Sequence, residues 1–563
     1  MDYKPLPVGF ENYQDIMAEN YYYVDKTLFI KELLDNKSKV NLFTRPRRFG
    51  KTLTLSMLKY FFEDAYDFRG NKEDYKHLFD GMKIMEAGER YTRHMGKYPV
   101  ISLTLKSGKQ STFESSMQLL RRNLANEFGR HRYILQSEYL PEREKEIFNK
   151  YLMEKFEPYE YKDSLNFLCM CLKMVSGKDV IVLLDEYDVP LEGAYEYGFY
   201  KEMVDFIREL FGSTLKTNDN LYFAVITGCL RISKESIFTG LNNLDINSVM
   251  SANYGEYFGF TEEEVKQLCV DYHLEHKYEE VKEWYNGYYF GEANVYNPWS
   301  TIKYMKDHIF KEDAFPVSYW ANTSSNSIVR TLIEMADREV KDEIEILIGG
   351  GTIEKPVHED ITYNEVYENM DNLWNFMFFT GYFKKISERF ESRTCYVTMK
   401  IPNQEVLYIF ENKIRTWFDA KIKKRNMNRL FEAIQNKDTG ILQEEITQML
   451  YMSISYHDYH ENFYHGFLMG ILYGMGDYVV RSNRETGTGR TDLWMKPVSR
   501  FQTAYIFEFK IAKKVNEMEK KAKEAILQIN ENKYDIEIIN DGYNDVVKYG
   551  VSFLGKDCFV VVE

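Results

Sequence analysis

The segment Asn41-Leu42-Phe43-Thr44-Arg45-Pro46-Arg47-Arg48-Phe49-Gly50-Lys51-Thr52 sets a glycine, a lysine and a hydroxyl between an apolar run and a helical pattern over Leu53 to Phe62. That order suits a loop whose backbone N–H groups and following helix N-terminus cradle phosphate oxygens, with a lysine reaching the terminal phosphates and a hydroxyl on Mg²⁺. Lys51 and Thr52 fit those two roles. Arg47, Arg48, Phe49 and Gly50 complete the candidate loop, the two arginines either neutralising phosphate charge or facing solvent. Arg45 stands where the usual pattern has its first glycine, so the match rests on Gly50-Lys51-Thr52 and its context.

Val180-Ile181-Val182-Leu183-Leu184-Asp185-Glu186 is an apolar strand delivering two carboxylates at its end. Asp185 can hold the shell of a magnesium ion and Glu186 can orient or deprotonate an attacking water, because phosphoryl transfer is catalysed mainly by positioning and charge neutralisation. Any α/β protein can end a buried strand in two solvated acids. The order of the two motifs, each at a strand end, is what points to a nucleotide. A further strand, Leu221 to Ile226, leads into Thr227 and Gly228, then Arg231. Thr227 and Arg231 are candidates to sense a γ-phosphate, a plain turn being the alternative.

Near the C-terminus, Asp477 to Val480, Thr491 to Met495 and Ala504 to Ile511 read as three strands. Strand period puts Glu508 and Lys510 on one face and Phe509 on the other. Asp492 and Glu508 on neighbouring strands can hold Mg²⁺, and Lys510 can orient water attacking a phosphodiester. Glu461, on an aromatic helix before the strands, is a further candidate metal ligand. Gln528, on a helix after them, can add a polar group, as can Tyr534. A charged strand face that is merely wet is the alternative, but the surroundings of Glu508 are too apolar for idle charges.

These residues must be carried by an α/β scaffold. Apolar strands at Val40, Val100, Val180 and Leu221 alternate with helical patterns, as in a parallel sheet. A largely helical stretch follows, then strands, one helix and a strand-rich tail. The 563 residues suggest roughly three or four domains. A net charge of −15 excludes a purely electrostatic nucleic-acid coat, so any such contact needs a local basic surface. Lys421-Ile422-Lys423-Lys424-Arg425 is one candidate, a solvated helix face being its default reading. Apolar windows are too short for a membrane span and the first residues lack an export pattern, which predicts a cytoplasmic protein without membrane contact. The six cysteines are scattered, so buried thiols are expected.

With Tyr22-Tyr23-Val24-Asp25-Lys26-Thr27, Arg45 to Thr52, Leu184 to Asp188, Thr239 to Asn243, Trp284 to Tyr288, Asn297 to Ser300, Gly487 to Asp492 and Glu508 to Lys510, the chain resembles bacterial AAA-ATPase-like proteins with a C-terminal PD-(D/E)XK nuclease-superfamily domain. The resemblance implies three parts: an AAA-like P-loop ATPase domain over 1–255, a helical, winged-helix-like region over 256–430, and a restriction-endonuclease-like α/β domain over 431–563. It makes Arg45 a family trait. It implies ATP and Mg²⁺ as cofactors, DNA or RNA as partner, and Glu186, Asp492, Glu508 and Lys510 as catalytic residues. Asp25 and Lys26 lie near the nucleotide base or serve as a helix-entry turn. The expected activity is nucleic-acid cleavage under nucleotide control. The alternative is a nucleotide-switched regulatory ATPase with an inactive nuclease-like domain. Monomer, dimer and ring all fit the sequence.

Overall fold

Strands β1 (Val40–Thr44) and β3 (Val180–Asp185) are buried along their whole length, as parallel strands covered on both faces must be. With β2 (Val100–Thr104), β4 (Leu221–Gly228) and β5 (Leu244–Asn247) they form a five-stranded, all-parallel sheet in the order β2-β3-β4-β1-β5. Every strand therefore ends on the same edge, where loops can gather polar groups. The crossovers that lead into β2, β3 and β4 are helical. Phe113–Arg130 starts at Thr112, whose hydroxyl accepts from the Ser115 N–H, and Ser164–Ser176 stops at Gly177 in the left-handed conformation.

The structure is a computed structural model. It describes all residues except 1–2, 68, 217, 232–236, 239–241, 312–313, 321–326, 360–361, 364, 367, 425–426, 453–460, 473–474, 476–477 and 487–488, and describes the backbone alone at 327, 338, 415–424, 452, 461–463, 465–466, 470, 481–486 and 489–491. Two compact units emerge: Met1–Asn326 with Thr352–Tyr408, and Ser327–Gly351 with Ile409–Glu563. Among the described residues no helix is long and apolar enough to cross a membrane. Cys169, Cys171, Cys269 and Cys558 are buried thiols as expected, whereas Cys229, on the loop after β4, and Cys395, near the start of the central strand of a three-stranded sheet, are partly exposed.

In the first unit, helices Glu262–Asp271, Tyr278–Tyr285, Pro298–Phe310 and Met370–Phe379 follow the parallel sheet, making the middle of the chain largely helical. It also holds a hairpin, β6 (Tyr288–Phe290) with β7 (Ala293–Val295), and an antiparallel sheet of β8 (Ile353–Val357), β9 (Lys384–Glu391) and β10 (Thr394–Lys400) in the order β8-β10-β9.

In the second unit, β11 (Tyr478–Thr486), β12 (Gly489–Pro497), β13 (Ala504–Ile511), β14 (Val546–Leu554) and β15 (Asp557–Val562) lie side by side in sequence order. All neighbours are antiparallel except β13 and β14, whose parallel pairing needs a crossover, supplied by helix Met518–Glu531. Phe507 and Phe509 join the core formed with Tyr464 and Leu468 of helix Glu461–Leu472. Ile506 packs instead with Ile529 and Tyr534. Alternation along β13 thus turns Glu508 toward the crossover helix. Gly550, paired with Glu508, lets that helix approach: a Cβ there would sit 2.2 Å from the Ala522 carbonyl oxygen.

Candidate functional site

Gly50 (φ +79°) turns the chain from the loop after β1 into the helix Lys51–Phe62, with open space where a Cβ would stand. The helix opens with N–H groups that have no partner within the helix. Lys51 Nζ folds back inside the loop and donates to the carbonyls of Arg45 and Pro46, each at 2.9 Å. Thr52 Oγ1 donates to Asp185 Oδ2 at 2.7 Å, and Thr227 Oγ1 donates to Asp185 Oδ1 at 2.5 Å. The pairing of Leu184 with Ile226 places Asp185 beside Thr227, so Asp185 ties the ends of β3 and β4 to the helix that follows the loop after β1. Glu186 is left-handed (φ +52°), an unfavourable conformation for a glutamate. Burial and the neighbouring Asp185 push its carboxyl up, against the pull of Lys51 and Lys106. A cleft of about 530 Å³ is lined by Gly50, Lys51, Thr52, Lys106, Glu186 and Trp299 among others.

The loop arginines are all engaged. Arg47 pairs with Glu192. Arg48, itself left-handed (φ +72°), donates to the Tyr319 carbonyl at 2.7 Å and lies 4.9 Å from the Trp299 ring centroid. Phe49 is 1% exposed and anchors the loop edge-on against Tyr288 and Phe290. Thus Arg47 and Arg48 do not simply face solvent, and Phe49 offers the cleft only its backbone. Arg231 faces Glu359 at 3.6 Å. Lys26 pairs with Glu264 at 2.6 Å and also lines the cleft, while Asp25 accepts from the Thr27 and Lys83 N–H groups as a turn residue.

Arg45 is wholly buried and points away from the cleft. It donates from Nη1 to the Asn247 carbonyl at 2.6 Å and to that of Thr44 at 2.9 Å, between the rings of Phe258 and Phe290 at 5.2 and 5.0 Å. Burial pushes its guanidinium down to about 9. Arg45 therefore fastens the ends of β1 and β5 beneath the loop. Restoring the usual glycine, Arg45→Gly, is expected to cost about 3 kcal/mol through the vacated volume and the orphaned Asn247 carbonyl. An unchanged urea midpoint would contradict this role.

Two residues near the loop have roles that the sequence pattern does not reveal. Asp188 Oδ2 accepts from the Cys229 and Leu230 N–H groups at 2.7 and 3.1 Å, holding the turn after β4. Glu405 is fully buried. Its Oε1 accepts from Ser300 Oγ at 2.8 Å and from the Trp320 N–H at 3.0 Å, and burial pushes its carboxyl up to about 7. Below about pH 4.5 folded and unfolded chains both carry this proton; between 4.5 and 7 only the folded chain keeps it. Stability then falls with rising pH across that window, by up to about 3 kcal/mol. Glu405→Gln should flatten that part of the profile, measured by denaturant unfolding across the window.

In the second unit the Asp492 N–H approaches Glu508 Oε2 at 3.4 Å, and Asp492 Oδ2 accepts from the Phe509 N–H at 2.8 Å. Glu508 is 1% exposed, with Lys510 Nζ 3.6 Å from its Oε1. Gln528 donates to that same oxygen and lies 3.4 Å from the Tyr534 hydroxyl. Asp492, Glu508, Lys510 and Gln528 are thus brought together. Among the described residues no three His, Cys, Asp or Glu side chains are grouped to hold a metal. The side chains of Glu461, of Lys421 to Lys424 and of Thr491 lie outside the described residues, as do Arg425, Gly487 and the Thr239 to Leu241 part of the fingerprint. The helix bearing Glu461 packs on the Phe509 face of the sheet.

Fold and sites together define a two-module chain, a parallel-sheet unit with a phosphate-loop arrangement and a mixed-sheet unit with an acid-and-lysine cluster. Residues 7–238 match the family described as "Predicted AAA-ATPase", and residues 459–563 match the PD-(D/E)XK nuclease superfamily. The chain carries both domains. It is similar to a protein of Azotobacter chroococcum mcd 1 described as an uncharacterized protein in the vnfD 5′ region, with 28% identity over 335 residues. That match covers 59% of this chain and 57% of the relative.

Proposed function

We propose that the first unit binds and hydrolyses ATP with Mg²⁺, and that this controls metal-dependent cleavage of DNA or RNA by the second. The observation that carries the nucleotide half is Asp185, which accepts from Thr52 and Thr227 beside the loop that holds Lys51. The oxygens of Thr52 and Asp185 suit Mg²⁺, a hard cation. When bound, the ion neutralises phosphate charge. The backbone of Phe49 to Thr52 and the Lys51 ammonium hold the phosphates, with Arg47 and Arg48 fixing the outer flank of the loop. Glu186 accepts the proton of the attacking water, a task suited to a carboxyl already raised by burial. Thr227 steadies Asp185, while Arg231 stands beyond it against Glu359.

For the nuclease half, Asp492 and Glu508 offer the oxygen ligands. Lys510 orients and helps deprotonate the attacking water, and Gln528 fixes the Glu508 carboxylate. The second reading, a nucleotide-switched regulator with an inactive nuclease fold, draws on one observation: Asp492 already accepts from the Phe509 backbone. A screen of labelled single- and double-stranded DNA and RNA, with Mg²⁺ or Mn²⁺ and with or without ATP, separates them. Cleavage supports the nuclease. ATP hydrolysis with no cleavage of any substrate favours the regulator.

A further inference from the structure

Residues 510–523 hold six lysines against two glutamates, a local charge of +4 in a chain of net −15. The run begins at Lys510, in the second unit's cluster. Lys510 pairs with Ser552 across β13 and β14, and Ser552 Oγ donates to the Met518 carbonyl at 2.7 Å. The crossover helix therefore starts beside Lys510 and runs back along the sheet to bring Gln528 to Glu508.

The lysines differ in how they are held. Lys523 makes an ordinary pair with Glu519 one turn away. Lys520 and Lys521 both turn to Glu524, at 4.0 and 2.6 Å. Glu524 precedes Gln528 by one helical turn and so shares its face. Lys521 donates to Glu524 and Lys520 reaches it at the limit of pairing, so two helical ammonium groups gather on an acid one turn before Gln528. Lys513 and Lys514 are exposed in the connecting turn and make no ion pair among the described residues. Glu517 accepts from the Lys513 backbone N–H at 3.2 Å, but neither ammonium group is ion-paired among the described residues, and adjacent unpaired ammonium groups favour an anionic ligand as a row of them favours a row of anions.

We propose that Lys513, Lys514, Lys520 and Lys521 form the track along which a nucleic-acid phosphate backbone enters the Asp492, Glu508 and Lys510 cluster, with Glu524 keeping the two helical lysines turned toward it. This rests on the nuclease reading above. Phosphate contacts of this kind position a strand without reading its sequence, which suits a cleaving site fed from one side.

The test uses the full chain carrying Glu508→Ala, so that substrate is bound without being cut. Its affinity for labelled oligonucleotides, as single-stranded DNA, duplex DNA and single-stranded RNA, is measured between about 50 and 200 mM salt. Adding Lys513→Ala with Lys514→Ala should weaken binding roughly tenfold and flatten the salt dependence by about 1.4 to 1.8 in logarithmic slope, the release expected for two lost phosphate contacts. Lys520→Ala with Lys521→Ala should act similarly, and Lys178→Glu, on the other unit, should not. If the Glu508→Ala chain binds but both lysine pairs leave affinity and slope unchanged, the track is overturned and the nuclease reading stands. If it binds no oligonucleotide and the unmutated chain cuts none, both are overturned.

Discussion

Glu508→Gln is expected to reduce nucleic-acid cleavage by about a thousandfold or more, equivalent to roughly 4 kcal/mol of barrier. Glutamine keeps the shape of the side chain and a carbonyl oxygen for Gln528, so the buried packing around this 1% exposed residue is retained. What is lost is the negative charge that Lys510 faces at 3.6 Å and that a divalent ion needs. Lys510→Met should bring a comparable loss without removing a metal ligand. Circular dichroism checks that each variant is folded. A Glu508→Gln chain cutting at the unmutated rate would remove this residue from the chemistry.

The second large effect is expected at the phosphate loop. Of its four basic side chains, Arg45 is buried beneath it, Arg47 pairs with Glu192 and Arg48 lies on Trp299, which leaves Lys51 inside the curve. Lys51→Ala should abolish measurable ATP binding and lower hydrolysis by about a thousandfold, since charge neutralisation and positioning carry most of phosphoryl-transfer catalysis. Glu186→Gln should separate the two functions, holding nucleotide while losing roughly a hundredfold or more in turnover. Isothermal titration with ATP and a phosphate-release assay read these outcomes. Normal turnover in Glu186→Gln would place the base elsewhere.

The parts of this arrangement that were legible in the sequence are those set by short-range pattern. Asp185 and Thr227 stand at the ends of apolar runs, and in a parallel sheet all such ends share one edge, so their proximity follows from strand period and topology. Glu508, Lys510 and Phe509 separate by alternation for the same reason. Roles fixed by distant chain were not legible. Arg45 occupies a loop position by sequence, but its partners Asn247, Phe258 and Phe290 come from more than two hundred residues away. Glu405 has no local signature, since its burial depends on Ser300 and Trp320. Arg231 reads as a free cation until Glu359 is folded against it.

The proposal that nucleotide governs cleavage is tested most directly by measuring the cleavage rate of one labelled substrate with and without ATP, in the unmutated chain and in Lys51→Ala. The account predicts that ATP changes the rate roughly fivefold or more in the unmutated chain, the scale of an ordinary coupling free energy, and leaves Lys51→Ala unmoved. Cleavage that proceeds equally with and without ATP in both chains would contradict it.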